Sequence, residues 1–261
     1  MLFPQIYFFP CFTTVGTERD KPSARSGHVL FVAGAYAFVH GGFGGAFGVP
    51  PSYLDDTWGL DLRVLPTRKW RRFEPPSSGF PRARSNHAAA VVRTSDAGLG
   101  YDARYSVYVF GGIAPGGIEL DDLWRYDAND NRWSRLELAT GSASPLGRQG
   151  HAMAAIGGVL CLHGGQRHTA GGGDPTLLAD VWLLDTQRGD ASSQAWQWQQ
   201  HPTTSSSGVT EMAMVSPSHP QSAQNYLIRF AGHGDARERA SRSAFRPPGH
   251  PSFKPVEADA Q

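Results

Sequence analysis

The sequence predicts an all-β protein built from similar four-stranded antiparallel sheets. Three observations carry that expectation: a composition hostile to long helices, a threefold internal repeat, and short apolar and aromatic runs punctuated by turn residues. Of 261 residues, 31 are Gly and 19 are Pro, while only 18% are charged. Long helices and coiled coils need charged stretches poor in Gly and Pro, so they are excluded first.

The repeat is the strongest signal. RSGHVLFVAGAYAFVHGG from Arg25 aligns without a gap on RQGHAMAAIGGVLCLHGG from Arg148. A further copy reads RSNHAAAVV from Arg84 and YSVYVFGG ending at Gly112, with the polar stretch TSDAGLGYDAR inserted between its two apolar runs. Each copy continues into Asp-x-Trp-x-x-Asp: Asp56, Trp58 and Asp61; Asp122, Trp124 and Asp127; Asp180, Trp182 and Asp185. One more Trp follows each time, Trp70, Trp133, and either Trp196 or Trp198.

Every unit therefore holds four short runs rich in Val, Phe, Tyr, Trp and Leu, the pattern of antiparallel strands, here A to D. Strand A follows the Arg, strand B ends in Gly-Gly, strand C carries Asp-x-Trp and strand D the last Trp. Ala33-Gly34 and Gly157-Gly158 read as two-residue A to B turns, where Gly supplies positive φ. A single such sheet leaves apolar faces wet, so the units must stack face to face, and radial stacking of twisted four-stranded sheets is a β-propeller.

The Arg-x-x-His start, the apolar run into Gly-Gly, the strand C aromatic and the strand D Trp together resemble kelch repeats, over three full units from about Pro22 to Trp198. A fourth unit starts weakly at EMAMVS and NYLIRFAGHG, with Glu211 read in place of the His and Ala231-Gly232 in place of the doublet. The organisation expected is 1–21 as a segment supplying an outer strand of a partial blade, 22–235 as a kelch-type propeller region, and 236–261 as a disordered tail. Three blades and part of another fall short of the number the resemblance implies, since kelch propellers usually close with more, often about six or seven. An open or incomplete ring is thus expected, with self-association through its open edges.

Charge and cysteine usage narrow the function. Twenty-four basic against 23 acidic residues give a net +1, which excludes a nucleic-acid binder driven by bulk charge. Cys11 and Cys161 are too few for a zinc ribbon or a disulfide scaffold, which favours a reducing, cytoplasmic setting. MLFPQIYFFPCF has prolines and no basic start, unlike a secretory leader, and the uncharged stretch 26–54 is broken by Gly and Pro, so no membrane span is expected.

Candidate contact residues follow from the resemblance, which implies that strand A is innermost. Arg25, Arg84 and Arg148 would then ring one channel mouth, either gripping a carboxylate or tying a neighbouring Asp or loop carbonyl. His28, His87 and His151, one per unit, read as structural hydrogen-bonding residues rather than metal ligands. Asp56, Asp122 and Asp180 read as structural acceptors, and the aligned tryptophans as packing between blades. Antiparallel alternation puts the B to C and D to A loops at one end, where Phe43, Phe47, Tyr53, Arg167 and His168 are candidate partner contacts. The function expected is a module binding a protein or peptide, without cofactor, metal or turnover. The alternative is a propeller enzyme of the galactose oxidase, specifier-protein or mutarotase type; the copper version would need Cys11 or Cys161 crosslinked to a Tyr.

Overall fold

The computed structural model describes residues 21–46, 48–63, 69–74, 79–94, 103–168, 174–187 and 195–202, together with short strands between 209 and 245. All of its regular elements are strands. The first sheet joins β1 (Ala24–Ser26), β2 (Val29–Ala33), β3 (Tyr36–Gly45), β4 (Ser52–Asp61) and β5 (Trp70–Phe73). β1 and β2 are one inner strand interrupted at Gly27, which has φ +61°. The second sheet contains β6 (Ala88–Arg93) and β7 (Tyr105–Phe110), an outlying hairpin of β8 (Ile113–Ala114) and β9 (Ile118–Glu119), then β10 (Leu123–Asp127) and β11 (Arg132–Arg135). The third repeats this with β12 (Ala152–Ile156), β13 (Val159–His163), the hairpin β14 (Gln166–Arg167) and β15 (Thr176–Leu177), β16 (Val181–Asp185) and β17 (Trp198–His201). Sheet order β12-β13-β16-β17, and its mirror β11-β10-β7-β6, is the A to D order read from the repeat.

Stacking follows from which side chains share a face. Val29, Phe31 and Phe38 of the first sheet cluster with Val107, Val109, Trp124, Tyr126 and Trp133 of the second. The opposite side of the second sheet, with Ala88, Ala90, Tyr108 and Phe110, clusters with Met153, Leu160, Trp182 and Trp198 of the third. Trp124, Trp133, Trp182 and Trp198 therefore lie between sheets. Because Leu184 pairs with Trp198 as Tyr126 pairs with Trp133, Trp198 is the strand D residue, and Trp196 instead bridges to Leu138.

A fourth sheet follows. β19 (Ala213–Val215), β20 (Leu227–Phe230) and β22 (Ser243–Phe245) pair in the order β19-β20-β22, and β18 (Val209–Thr210) pairs β21 (His233–Gly234). The inner strands pack in series, β2 on β6, β6 on β12 and β12 on β19. No closed ring is found among the described residues.

Three readings change. The first A to B turn is Gly34-Ala35, because Ala33 still pairs with Tyr36; only Gly34, at φ +59°, needs a glycine. Ala213 pairs with Phe230 as Val29 pairs with His40, so Met212 by count, not Glu211, stands at the His position, and Val209 replaces the Arg. β22 lies in the stretch expected to be a tail, most of which falls outside the described residues, as do residues 1–20 of the segment 1–21 expected to supply an outer strand.

Candidate interaction face

The repeated polar residues first assemble a structural device. Arg84 donates through Nη1 and Nη2 to the two oxygens of Asp122 at 2.7 and 2.8 Å, through Nη1 to the Gly111 carbonyl at 2.9 Å, and through Nε to the Arg82 carbonyl at 3.2 Å. Trp124 Nε1 donates to the same carboxylate at 2.6 Å. Arg148 repeats this with Asp180, Gly164, Leu146 and Trp182, and Arg25 with Asp56, Gly41, Ser23 and Trp58. In each repeat an Arg just before the inner strand thus reaches the strand C Asp of its own sheet, although 31, 38 and 32 residues of chain separate the three pairs.

The arginine collar is corrected by this geometry. Arg84 and Arg148 are fully buried, four of the five guanidinium donors of each already have acceptors, and Arg25 uses all five. Burial alone would raise the Asp122 carboxyl, but the Arg84 hydrogen bonds and charge, helped by Trp124, outweigh it and hold it below the usual range. Asp56 and Asp180 are held down in the same way.

The glycine doublets and histidines lock one sheet to the next. Gly42 N–H donates to the Arg84 carbonyl and Gly112 N–H to the Arg148 carbonyl, both at 2.8 Å. A Cβ on Gly111 would lie 2.9 Å from His151 Cε1 of the next sheet, and one on Gly41 would lie 2.8 Å from His87 Cε1. The doublet therefore clears space for the histidine of the following unit. The His87 ring meets the His40 ring at 5.5 Å, and His151 meets Phe110 at 5.5 Å. Among the described residues neither ring nitrogen of His87 has a hydrogen-bond partner, and what the structure shows for this side chain is ring packing rather than the hydrogen bonding expected. Desolvation, then the Arg84 charge for His40 and the Arg148 charge for His151, push these two imidazoles down to about 3; burial pushes His87 well down too.

What remains for a partner lies at the end carrying the B to C and D to A loops. Each Gly-Gly sits at positive φ: the first shifts the register of the β3–β4 ladder, which resumes at Gly42, and the other two end the B to C ladder, so that β8–β9 and β14–β15 project as separate hairpins. Among the described residues, six of the eight exposed large apolar side chains are here: Phe43, Val49, Phe80, Ile118, Leu146 and Leu177. Phe43 pairs across strands with Tyr53, their rings 5.1 Å apart. Arg167 and His168 sit together over Glu119: Glu119 Oε1 accepts from the His168 backbone N–H at 2.8 Å and lies 3.0 Å from its Nδ1. Arg167 Nε is 3.9 Å from Glu119 Oε2. Gln149 links His168 to Asn86, whose amide donates to it at 3.2 Å. Phe47 lies outside the described residues. Sequence reasoning missed Phe80, Ile118, Leu146 and Leu177; the available signal was a lone apolar residue inside a polar or Gly-rich loop.

Among the described residues no group of three or more His, Cys, Asp and Glu side chains is placed to hold a metal. Cys161 is a buried free thiol, pushed up to about 12 by its burial, on the side of the third sheet with Ala154 and Leu183. Among the same residues no helix is long and apolar enough to cross a membrane.

Four-stranded antiparallel sheets, stacked through their tryptophans and pinned by an Arg–Asp pair per repeat, define a propeller-type repeat protein with loops gathered at one end. The chain belongs to the kelch-repeat family: residues 43–241 match the KLHDC2/KLHL20/DRC7 Kelch-repeats domain. It is 28% identical over 183 residues to an F-box/kelch-repeat protein of Arabidopsis thaliana, covering 65% of this chain and 32% of that protein. It is 28% identical over 160 residues to the host cell factor homolog hcf-1 of Caenorhabditis elegans, covering 58% of this chain and 19% of that one. A tRNA wybutosine-synthesizing protein 2/3/4 of Arabidopsis thaliana is 33% identical over 119 residues, 46% of this chain and 10% of its own length. The matched region thus spans a third or less of each relative. At the level of the family, the chain is a protein-interaction module.

Proposed function

We propose that the chain binds a protein or peptide partner through its B to C and D to A loops, with Phe43, Ile118, Leu146 and Leu177 accepting apolar side chains and Arg167 and His168 supplying polar contacts. The observation that carries this reading is the gathering of exposed apolar side chains at one end of the sheets. Exposed apolar groups clustered on a rigid scaffold mark docking sites, and aromatic and Arg anchors commonly dominate the energy. The reading needs no cofactor, metal or nucleic acid, and the cytoplasm is its setting, which suits the free thiol of Cys161.

Panning a random peptide phage library on the purified chain tests it. Enriched peptides should carry apolar residues, and Ile118→Asp with Leu177→Asp should weaken the selected peptides at least tenfold. Gln187→Ala, at the opposite end, should leave affinity unchanged. Peptides indifferent to the first pair of substitutions would place the site elsewhere.

A further inference from the structure

Gly27, Asn86 and Gly150 are equivalent positions, each two residues after its repeat Arg at the loop end of an inner strand, with φ of +61°, +53° and +64°. Glycine adopts this left-handed conformation freely, whereas an L side chain is strained there, Asn less than most. Two of the repeats use glycine, so the fold itself does not ask for a side chain at this position. Among the described residues Asn131, at φ +49°, is the other non-glycine residue with positive φ, and its side chain has a visible duty: it donates to the Glu74 carbonyl at 3.0 Å and accepts from the Tyr126 hydroxyl at 3.1 Å. Asn86 reaches the neighbouring repeats through its main chain. Its N–H donates to the Gly27 carbonyl at 2.8 Å and its carbonyl accepts from the Gly150 N–H at 2.9 Å, bonds that a glycine would make equally well.

The Asn86 side chain is exposed yet held in one place. Its Nδ2 donates to Gln149 Oε1 at 3.2 Å, and Gln149, only 5% exposed, is fixed by backbone hydrogen bonds in both directions with Gln166. Its Oδ1 lies over Gly27, where a Cβ would stand 2.5 Å from it, and among the described residues this oxygen meets no donor. Ser85 and Gln149 bridge to Ile113 and Gln166 at the roots of β8–β9 and β14–β15, so the amide stands between the hairpins that carry Ile118 and Leu177.

We propose that Asn86 is the main-chain anchor of the partner site: its Oδ1 accepts a peptide N–H from an extended ligand segment whose side chains enter the apolar loop positions. This rests on the loop-face reading and adds to it the group that recognises the ligand backbone. A segment laid over Ile118 and Leu177 loses water from its main-chain amides, and an N–H buried without an acceptor is costly. Glu119, beside Ile118, is already engaged by His168, whereas Asn86 offers a neutral, positioned acceptor that calls for no cation on the ligand.

Backbone N-methylation of a peptide enriched on the purified chain reads this contact, because it removes one main-chain donor and leaves every side chain in place. At one peptide position it should weaken binding to the wild-type chain about tenfold, yet add nothing to the roughly tenfold loss caused by Asn86→Gly. Asn86→Gly keeps the backbone that Gly27 and Gly150 already adopt, so its circular dichroism should be unchanged. Asn86→Asp, which retains an acceptor oxygen and tolerates positive φ, should retain the sensitivity to N-methylation. Wild-type affinity in Asn86→Gly, or N-methylation penalties equal in the two chains at every peptide position, would overturn this proposal and leave the loop-face reading standing. Failure to enrich any peptide, or peptides indifferent to Ile118→Asp with Leu177→Asp, would overturn both.

Discussion

Replacing Asp122 by Ala strands the Arg84 guanidinium inside the second sheet. Three donated bonds lose their acceptor at once, at 2.7 and 2.8 Å from Arg84 and 2.6 Å from Trp124. The Arg84 side chain is 0% exposed and that of Asp122 is 13% exposed, so water cannot replace the carboxylate without opening the seam. Breaking a buried pair by removing one partner costs about 3–5 kcal/mol. For a folded region of this size that corresponds to a fall in Tm of about 6–20 °C. Urea unfolding followed by circular dichroism and tryptophan fluorescence measures it. Arg84→Met combined with Asp122→Leu should regain most of the loss, leaving about 1 kcal/mol for the unsatisfied Trp124 indole. Glu74→Ala provides the contrast: its pair with Arg72 has side chains 66% and 52% exposed, and its loss should cost about 0–1 kcal/mol. If Asp122→Ala costs no more than Glu74→Ala, or the double substitution costs more than the single one, the anchoring role assigned to these pairs fails.

Acid should loosen the seams before it protonates the carboxylates. His40 and His151 are held down to about 3 and His87 well down, so the folded chain refuses protons that the unfolded chain takes up near pH 6.5. Stability should therefore be complete above about pH 6.5 and fall as pH drops towards 3, by up to about 1.4 kcal/mol per pH unit for each histidine; denaturant midpoints measured from pH 7 to 4 that stay flat would contradict this. The Asp–Arg pairs, whose carboxyls sit below their ordinary range, add to the loss only below about pH 4. Gly111→Ala should destabilise by more than Gly117→Ala. Both sit at positive φ, but a Cβ at Gly111 meets the Arg148 carbonyl at 2.8 Å and the His151 ring at 2.9 Å, whereas Gly117 faces open space. Strain alone costs about 1–2 kcal/mol, and the crowded seam adds to it, so equal losses in denaturant unfolding would remove the seam role of the doublet.

The repeat fixed much of this molecule by local chemistry. Alternation of apolar residues sets strands, Gly-Gly sets an irregularity in the B to C ladder, and the recurrence of Arg before strand A and of Asp-x-Trp in strand C marks residues that meet within one sheet, because the order A to D brings them together even where an inserted loop lengthens the chain between them. Even the fourth unit, which has lost the Arg and the doublet, keeps the pairing of its inner strands, although the A to B connection differs in length between units, since the apolar pattern sets the register. Its β22 escaped notice because SAF is too short to show a period.

The sequence alone could not decide whether Arg84 looks inward or towards a ligand, because an Arg at a strand start serves either purpose. Packing decides it: the strand C carboxylate and the Gly111 carbonyl lie within reach, and the neighbouring sheets exclude water. The sequence also could not rank the loops. Ile118 and Leu177 are isolated in the chain but share one end of adjacent sheets once β8–β9 and β14–β15 project there, and Leu30 and Val32 are exposed although they lie in an apolar run of an inner strand. Periodicity reports which residues leave water together; only the arrangement of whole sheets determines which of them still meet it.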